Sequence, residues 1–395
     1  MYMKLEFNMI QFAALSVIIL YLGQYIKRKV KFLDKYCIPA PVIGGIIFAI
    51  LTLILKSNQI LEISFDTTLQ DFFMIVFFTT VGYTASLKTL KSSGKDAILF
   101  LIVAVALVFC QDIVGIFLAK VFHLNPLIGL STGSVPMTGG HGTAGSIAPY
   151  FEELGASGAT TVAMAAATFG LVAGSALGGP LASRLIRKYD LKIDSASDNS
   201  NLEENNIPQV TANSLLSAVC CILLAMGLGS ILSMVLKETG LNFPPYIGAM
   251  LAAAILRNVI DGTQILNLKL YEIDIFGNVS LSLFLSMALM GLKLWELAAL
   301  AKPLVVMLFA QTVLMALFAY FITFNVMGRD YDAAVMAAGH CGFGMGATAN
   351  AIANMEVVSS KHGFSYKAFF ILPLVGSLFI DFINVSVVYF FTSLF

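Results

Sequence analysis

The sequence predicts an all-α polytopic membrane protein, and three observations carry that expectation. Hydrophobic residues make up 58% of the 395, charged residues only 12%. The mean hydropathy is +0.87. Apolar runs close to the roughly 20 residues needed to cross a bilayer recur along the chain. A soluble domain carries about 25% charged residues, so this chain has half the charge needed to coat a soluble surface. Lys plus Arg and Asp plus Glu each number 23, which leaves no basic excess for phosphates and excludes a nucleic-acid binder. The same composition excludes a disordered chain and a secreted disulfide scaffold. Cys37, Cys110, Cys220, Cys221 and Cys341 lie in or beside apolar stretches at no metal-like spacing and read as small buried hydrophobes.

The first apolar run, Met9 to Ile26, is followed by Lys27, Arg28, Lys29 and Lys31. A secretory signal carries its charges before the apolar run, so this order is reversed and reads as a first spanning helix with the N-terminus outside. Further spans are expected at about 40–56, 69–87, 97–119, 158–186, 213–236, 244–260, 276–296, 303–327 and 367–394, ten in all. Two Gly-rich apolar stretches, about 126–150 and 331–355, are left over. If neither crosses, 17 of the 23 basic residues fall on the inner side, leaving Lys4, Lys56, Lys120, Lys237, Lys293 and Lys302 outside. That bias fixes the orientation, with both termini outside. The one long polar segment, residues 190–213, has almost no large apolar side chain and reads as a flexible cytoplasmic linker.

The segments on either side of the linker, 1–189 and 214–395, resemble each other. Pro41-Val42-Ile43-Gly44-Gly45 pairs with Pro245-Tyr246-Ile247-Gly248-Ala249, and Gln111 with Gln311. Gly139 to Ala148 lies over Gly344 to Ala353, matching Thr143 with Thr348. Five spans per copy is an odd number, so the second copy sits upside down. Inverted-topology repeats are typical of secondary transporters, whose sites lie between the copies at the midplane.

The Gly-rich stretches are the expected seat of chemistry. From Val121 to Phe151, and from Ala333 to Met355, there is no Asp, Glu, Lys or Arg, while glycines and hydroxyls crowd in, with Asn350 and Asn354 in the second stretch. Each Gly costs about 1 kcal/mol against Ala inside a helix, so such runs break helices. Broken backbone at membrane depth persists only inside protein or beside water. Two re-entrant hairpins meeting near the middle are therefore expected, their helix N-termini aiming free N–H groups at a carboxylate. Other motif matches are chance matches among 32 glycines. Gly140 to Gly145 spells G-x-G-x-x-G with neither the strand nor the acid a dinucleotide fold needs. Gly129 to Gly133 spells G-x-S-x-G without an α/β sheet. His141, and His340 with Cys341, lack further ligands at metal spacing and read as packing or hydrogen-bonding groups. Gly170, Gly174 and Gly178 form a helix-packing stripe, and Phe72, Phe73, Phe77 and Phe78 read as packing.

Asp112 and Asp381 sit inside apolar helices, where an ionisable group marks a functional site. Asn384 follows Asp381 at i+3 on the same face, which puts carboxylate and amide oxygens together. Hard oxygens of this kind suit an alkali cation or a substrate ammonium.

Three long strings carry a family resemblance: Gly139-Gly140-His141-Gly142-Thr143-Ala144, residues 277–298 (GNVSLSLFLSMALMGLKLWELA) and residues 331–355 (YDAAVMAAGHCGFGMGATANAIANM). In these the chain resembles the bacterial sodium:glutamate symporter family along nearly its whole length, the linker excepted. One departure is Ala349-Asn350, where many members have Pro-Thr after Ala-Thr. The resemblance implies a homodimer in the bacterial inner membrane that takes up L-glutamate with Na⁺ as coupling ion by alternating access. It implies no enzymatic step and no other cofactor. The expected substrate contacts are Thr138, Gly139, Gly140, His141, Gly142, Thr143, Gly344, Gly346, Thr348 and Asn350, which would hold the carboxylates. Asp381, Asn384, Asn354 and Asp112 are the expected ligands of Na⁺ or of the amino group. A proton- or Na⁺-coupled di- or tricarboxylate carrier would share the same architecture, and a channel could reuse the two re-entrant loops.

Overall fold

A computed structural model of the chain describes residues 3–35, 38–92, 94–192, 210–238, 245–296 and 300–395. In chain order the principal helices are α1 (Met9–Lys29), α2 (Ala40–Ser57), α3 (Thr68–Thr84), α4 (Gly94–Val121), α5 (Pro126–Leu130), α6 (Ser134–Met137), α7 (Gly140–Glu153) and α8 (Ala159–Tyr189). They continue as α9 (Ala212–Glu238), α10 (Pro245–Thr263), α11 (Leu270–Met290), α12 (Ala301–Phe318), α13 (Tyr331–Phe343), α14 (Thr348–His362), α15 (Tyr366–Leu378) and α16 (Ile380–Thr392). Residues 193–209, the bulk of the expected linker, and Cys37 lie outside the described residues.

Among the described residues eight helices are long and apolar enough to cross a membrane, from Met9–Lys29 to Ala301–Val326. The pair Tyr366–Gly376 and Ile380–Thr392, bent by 45°, makes a ninth if counted as one span. The chain is thus an all-α multi-pass membrane protein, with fewer clear spans than the ten expected. The expected span at 244–260 forms a helix, α10, but its last turns carry Arg257, Asn258 and Asp261. There Arg257 Nε pairs with Asp261 Oδ2 at 2.9 Å, which cuts the apolar length short.

One small departure from all-α was not anticipated. Met3–Phe7 (β1) and Leu61–Phe65 (β2) pair in parallel, with Lys4 opposite Glu62 and Phe7 opposite Phe65. The Phe65 ring stacks on Phe12 at 4.2 Å between centroids, anchoring the pair on α1. The pairing brings the segment before α1 and the segment after α2 together on one side, as an antiparallel α1–α2 arrangement requires.

Contacts divide the chain into two compact units, each taking segments from both sides of the linker. The first comprises residues 1–30, 39–89 and 204–294; the second 31–38, 90–203 and 295–395. The first therefore collects α1–α3 with α9–α11. Its apolar core gathers Phe12, Ile19, Phe48, Met287 and Met290 in one cluster and Tyr83, Ala218, Ala225, Ala253 and Ile273 in another. Phe78 lies fully buried against Tyr246, a packing role as expected. Phe72, by contrast, is 41% exposed.

The second unit collects α4–α8 with α12–α16. Its centre is the close approach of α8 to α13. A Cβ on Gly170 would overlap the Met345 carbonyl. One on Gly174 would lie 2.7 Å from the Cys341 carbonyl, and one on Gly178 2.6 Å from that of Ala338. The stripe is a packing seam, because only hydrogen at these positions lets the two backbones touch.

Candidate functional site

Both Gly-rich stretches break into short helices, as their composition requires. The first becomes α5, α6 and α7, the second α13 and α14 around a break at residues 344–347. None of these pieces has the length to cross a membrane. At the start of α7, Gly140 has φ +61°, a backbone conformation open to glycine and costly for other residues. A Cβ there would sit 3.0 Å from the Gly346 carbonyl, so the two breaks meet at this point.

A single side chain ties them. Gln111, wholly buried in α4, accepts from Thr138 Oγ1 at 2.7 Å through Oε1 and donates to the Gly344 carbonyl at 2.6 Å through Nε2. Gln311 donates through Nε2 to the Gln111 carbonyl at 2.8 Å. Among the described residues, Gln311 Oε1 is buried without a partner. In the expected repeat, the position of Thr138 is held by Phe343, which offers no hydroxyl.

The next residue of α4, Asp112, is fully buried. Its Oδ1 accepts from the Ser134 backbone N–H at 2.8 Å and its Oδ2 from the Ser134 hydroxyl at 2.9 Å. The Ser134 carbonyl in turn accepts from Asn384 Nδ2 at 3.2 Å. Among the described residues, Asn384 Oδ1 is buried with no hydrogen-bond partner. Asp112 and Asn384, 272 positions apart in sequence, therefore meet on one serine. A buried carboxylate with two donors and no counter-charge is costly by several kcal/mol. Such a pair of oxygens is a natural seat for a small cation. Asp381 lies in the first turn of α16, half-buried, and makes no hydrogen bond to a described residue.

The remaining expected contacts divide. Asn350 and Asn354 fasten α14 to its neighbours. Asn350 Nδ2 donates to the Leu171 carbonyl at 3.0 Å and to Ser175 Oγ at 2.5 Å. Asn354 Nδ2 donates to the carbonyls of Gly174 at 3.0 Å and Ala338 at 3.1 Å. Asn354 is thus directed to α8 and α13, where sequence reasoning placed it beside Asp381. Thr143 is buried, while Gly139, Gly142 and Thr348 are half-buried around the breaks. His141 is 5% exposed and its Nε2 lies 2.9 Å from Thr168 Oγ1. His340 is fully buried, its Nδ1 2.8 Å from Thr323 Oγ1, with the Phe343 ring stacked on it at 4.8 Å. Among the described residues no group of three His, Cys, Asp or Glu side chains could hold a metal ion.

Sequence reasoning did not assign a role at the site to Gln111, Ser134, Thr168 or Ser175. An amide beside an acid within an apolar helix was the available signal for Gln111. Nothing local marks the three hydroxyls, since Ser and Thr in apolar helices commonly bond their own backbone.

Residues 5–364 match the family described as Sodium/glutamate symporter. The chain is 41% identical over 384 residues to the sodium/glutamate symporter of Escherichia coli K12, covering 94% of each chain. It is 40% identical over 393 residues to that of Haemophilus influenzae, covering 97% of each.

Proposed function

This chain belongs to the sodium/glutamate symporter family, and from that premise we propose how its residues handle the two solutes. The protein is a Na⁺-coupled glutamate symporter, a transporter and not an enzyme, working in a bacterial membrane that it crosses several times. The observation that carries the reading of the site is the meeting of Asp112 and Asn384 on Ser134 inside a helix break.

In this reading Na⁺ sits against Asp112, the unpartnered Asn384 Oδ1 and Asp381. The substrate carboxylates are held by backbone N–H groups and hydroxyls at the two breaks, Thr138 to Thr143 and Gly344 to Asn350. The starts of α7 and α14 supply N–H groups without intrahelical partners, which suit anions. Glutamate is net negative, so bound Na⁺ cancels charge before the loaded site passes a low-dielectric region. The Na⁺ gradient and the membrane potential, about 2.3 kcal/mol per charge per 100 mV, then drive uptake.

The architecture in this reading is two inverted five-helix repeats, 1–189 and 214–395, each with a re-entrant hairpin at about 126–150 or 331–355. Two features support it. Both Gly-rich stretches are broken at matched positions. Each compact unit draws matched segments from both copies, α1–α3 with α9–α11 and α4–α8 with α12–α16. A homodimer in the inner membrane, termini outside and the linker in the cytoplasm, completes the reading on the basic-residue bias and the resemblance.

The test is uptake of radiolabelled L-glutamate into proteoliposomes with Na⁺ or K⁺ outside, for wild type, Asp112→Asn and Asp381→Asn. Na⁺-driven uptake in wild type with the Na⁺ activation curve shifted in both variants supports the site. Unshifted activation in both would move Na⁺ elsewhere.

A further inference from the structure

His141 and Gly346, two of the residues expected to hold the substrate carboxylates, each carry an acceptor without a protein donor near where the two helix breaks meet. Thr168 Oγ1 stands between two neighbours, 3.0 Å from the Met164 carbonyl and 2.9 Å from His141 Nε2. A hydroxyl has one proton and two lone pairs. The Met164 carbonyl can only accept, so the Thr168 proton goes there, and toward His141 the hydroxyl is an acceptor. His141 Nε2 must then carry the ring proton, which leaves Nδ1 with a lone pair. This is the one tautomer that makes both contacts at once.

His141 is 5% exposed, and its Nδ1 accepts no hydrogen bond from a described residue. The residue before it, Gly140, adjoins a second acceptor of the same kind. The Gly346 carbonyl oxygen lies 3.0 Å from where a Cβ on Gly140 would be. Gly346 lies outside any helix, and its carbonyl accepts no backbone hydrogen bond among the described residues. Two acceptors without donors thus belong to residues at this junction of the breaks. Lone pairs repel a carboxylate and attract an N–H donor. Acceptors that lack a donor in the protein suit a ligand with several N–H bonds.

We infer that His141 Nδ1 and the Gly346 carbonyl receive the amino group of the substrate, with Thr168 as the positioning residue that fixes the His141 tautomer. The inference rests on the glutamate reading and deepens it. The carboxylates are held by N–H groups at the breaks, whereas these two acceptors distinguish an amino dicarboxylate from a dicarboxylate of the same length. A site built to bond an N–H rejects the analogue that lacks it strongly, because the site's own groups are then left unpaired.

The experiment compares L-glutamate with glutarate, which keeps both carboxylates and lacks the amine. Affinities for both are measured by titration calorimetry in NaCl on purified wild type, His141→Phe, Thr168→Val and Thr168→Ser. Wild type should prefer glutamate by about tenfold or more, the worth of a charged hydrogen bond. His141→Phe should bring the two affinities close together, mainly by weakening glutamate. Thr168→Val should lower the preference several-fold, and Thr168→Ser, which keeps the hydroxyl, should restore it. Equal weakening of both ligands in His141→Phe, or a preference unchanged by Thr168→Val, overturns the assignment. So does a wild type that binds glutarate as tightly as glutamate. If His141→Phe does not fold, the Thr168 pair decides alone. Wild type that binds neither compound in Na⁺ removes the glutamate reading itself, a distinct result that takes this inference with it.

Discussion

Gln311 donates through Nε2 to the backbone carbonyl of Gln111 at 2.8 Å, with both side chains fully buried in the second unit. In the proposed repeat the two amides occupy matched positions, yet they do different work. Gln111 satisfies both ends of its amide on the helix breaks, at Thr138 and Gly344, while Gln311 keeps a bare Oε1.

Replacing Gln111 by Leu keeps the volume and strands the Thr138 hydroxyl and the Gly344 carbonyl. Each buried polar group left unpaired costs about 1–3 kcal/mol. Gln111→Leu is expected to lower the melting temperature in detergent and to reduce Na⁺-driven glutamate uptake by about tenfold or more. Gln311→Leu loses one hydrogen bond and removes an orphan, so its melting temperature should fall less. Comparing the two variants by thermal unfolding checks the asymmetry.

Ser134 is the hinge of the proposed cation site, giving both its donors to Asp112. Ser134→Ala keeps the backbone donor and deletes the hydroxyl, so about half of the carboxylate's support is lost. The expected outcome is a Na⁺ half-saturation raised by about three- to tenfold, in proportion to one charged hydrogen bond. The L-glutamate affinity at saturating Na⁺ should move less. Uptake titrated with Na⁺ at fixed glutamate, then with glutamate at fixed Na⁺, separates the two effects.

The Gly stripe of α8 offers a comparison within one helix. Gly170→Ala places a methyl on the Met345 carbonyl, a backbone atom that cannot turn away, and is expected to destabilise by roughly 1–3 kcal/mol. Gly179→Ala meets only the end of the Val357 side chain, at 3.4 Å. That change should be neutral or gain up to about 1 kcal/mol from helix propensity. Thermal unfolding of both in the same detergent decides.

Glu62 sits opposite Lys4 in the strand pair, with Lys56 Nζ 3.1 Å from its carboxylate. All three side chains are more than a third exposed. Exposed ion pairs contribute about 0–1 kcal/mol. Glu62→Gln is therefore expected to leave melting temperature and uptake within error of wild type, at low salt and at high.

Much of this was legible in the sequence because it is governed by local rules. Helices span where apolar runs are long and break where glycines gather, so the sequence alone marks Gly139 to Ala148 and Gly344 to Ala353. Asp112 and Asp381 stood out because charge is rare in apolar helices. The partner of Asp112 was hidden, since Ser134 is 22 residues away on another helix and hydroxyls are common there. The ion pair that shortens α10 joins Arg257 and Asp261 one turn apart, a spacing that no apolar run marks. The linker suggested a molecule cut in half, whereas packing sorts helices by the faces they bury. No local pattern records which distant helix covers which face.

That sorting has a consequence for how the protein is made. Each unit contains chain from before residue 89 or 203 and chain from after residue 204 or 295, so neither can close while only the first copy has left the ribosome. Helices α1–α3 must wait in the bilayer for α9–α11, and the broken α5–α7 must wait for α12–α16. Until then the break at Thr138 to Gly140 lacks the second break, whose Gly346 carbonyl it meets. Biogenesis is thus the stage most exposed to truncation. Two half-genes divided within 193–209 should yield a working transporter only when both are synthesised in the same cell.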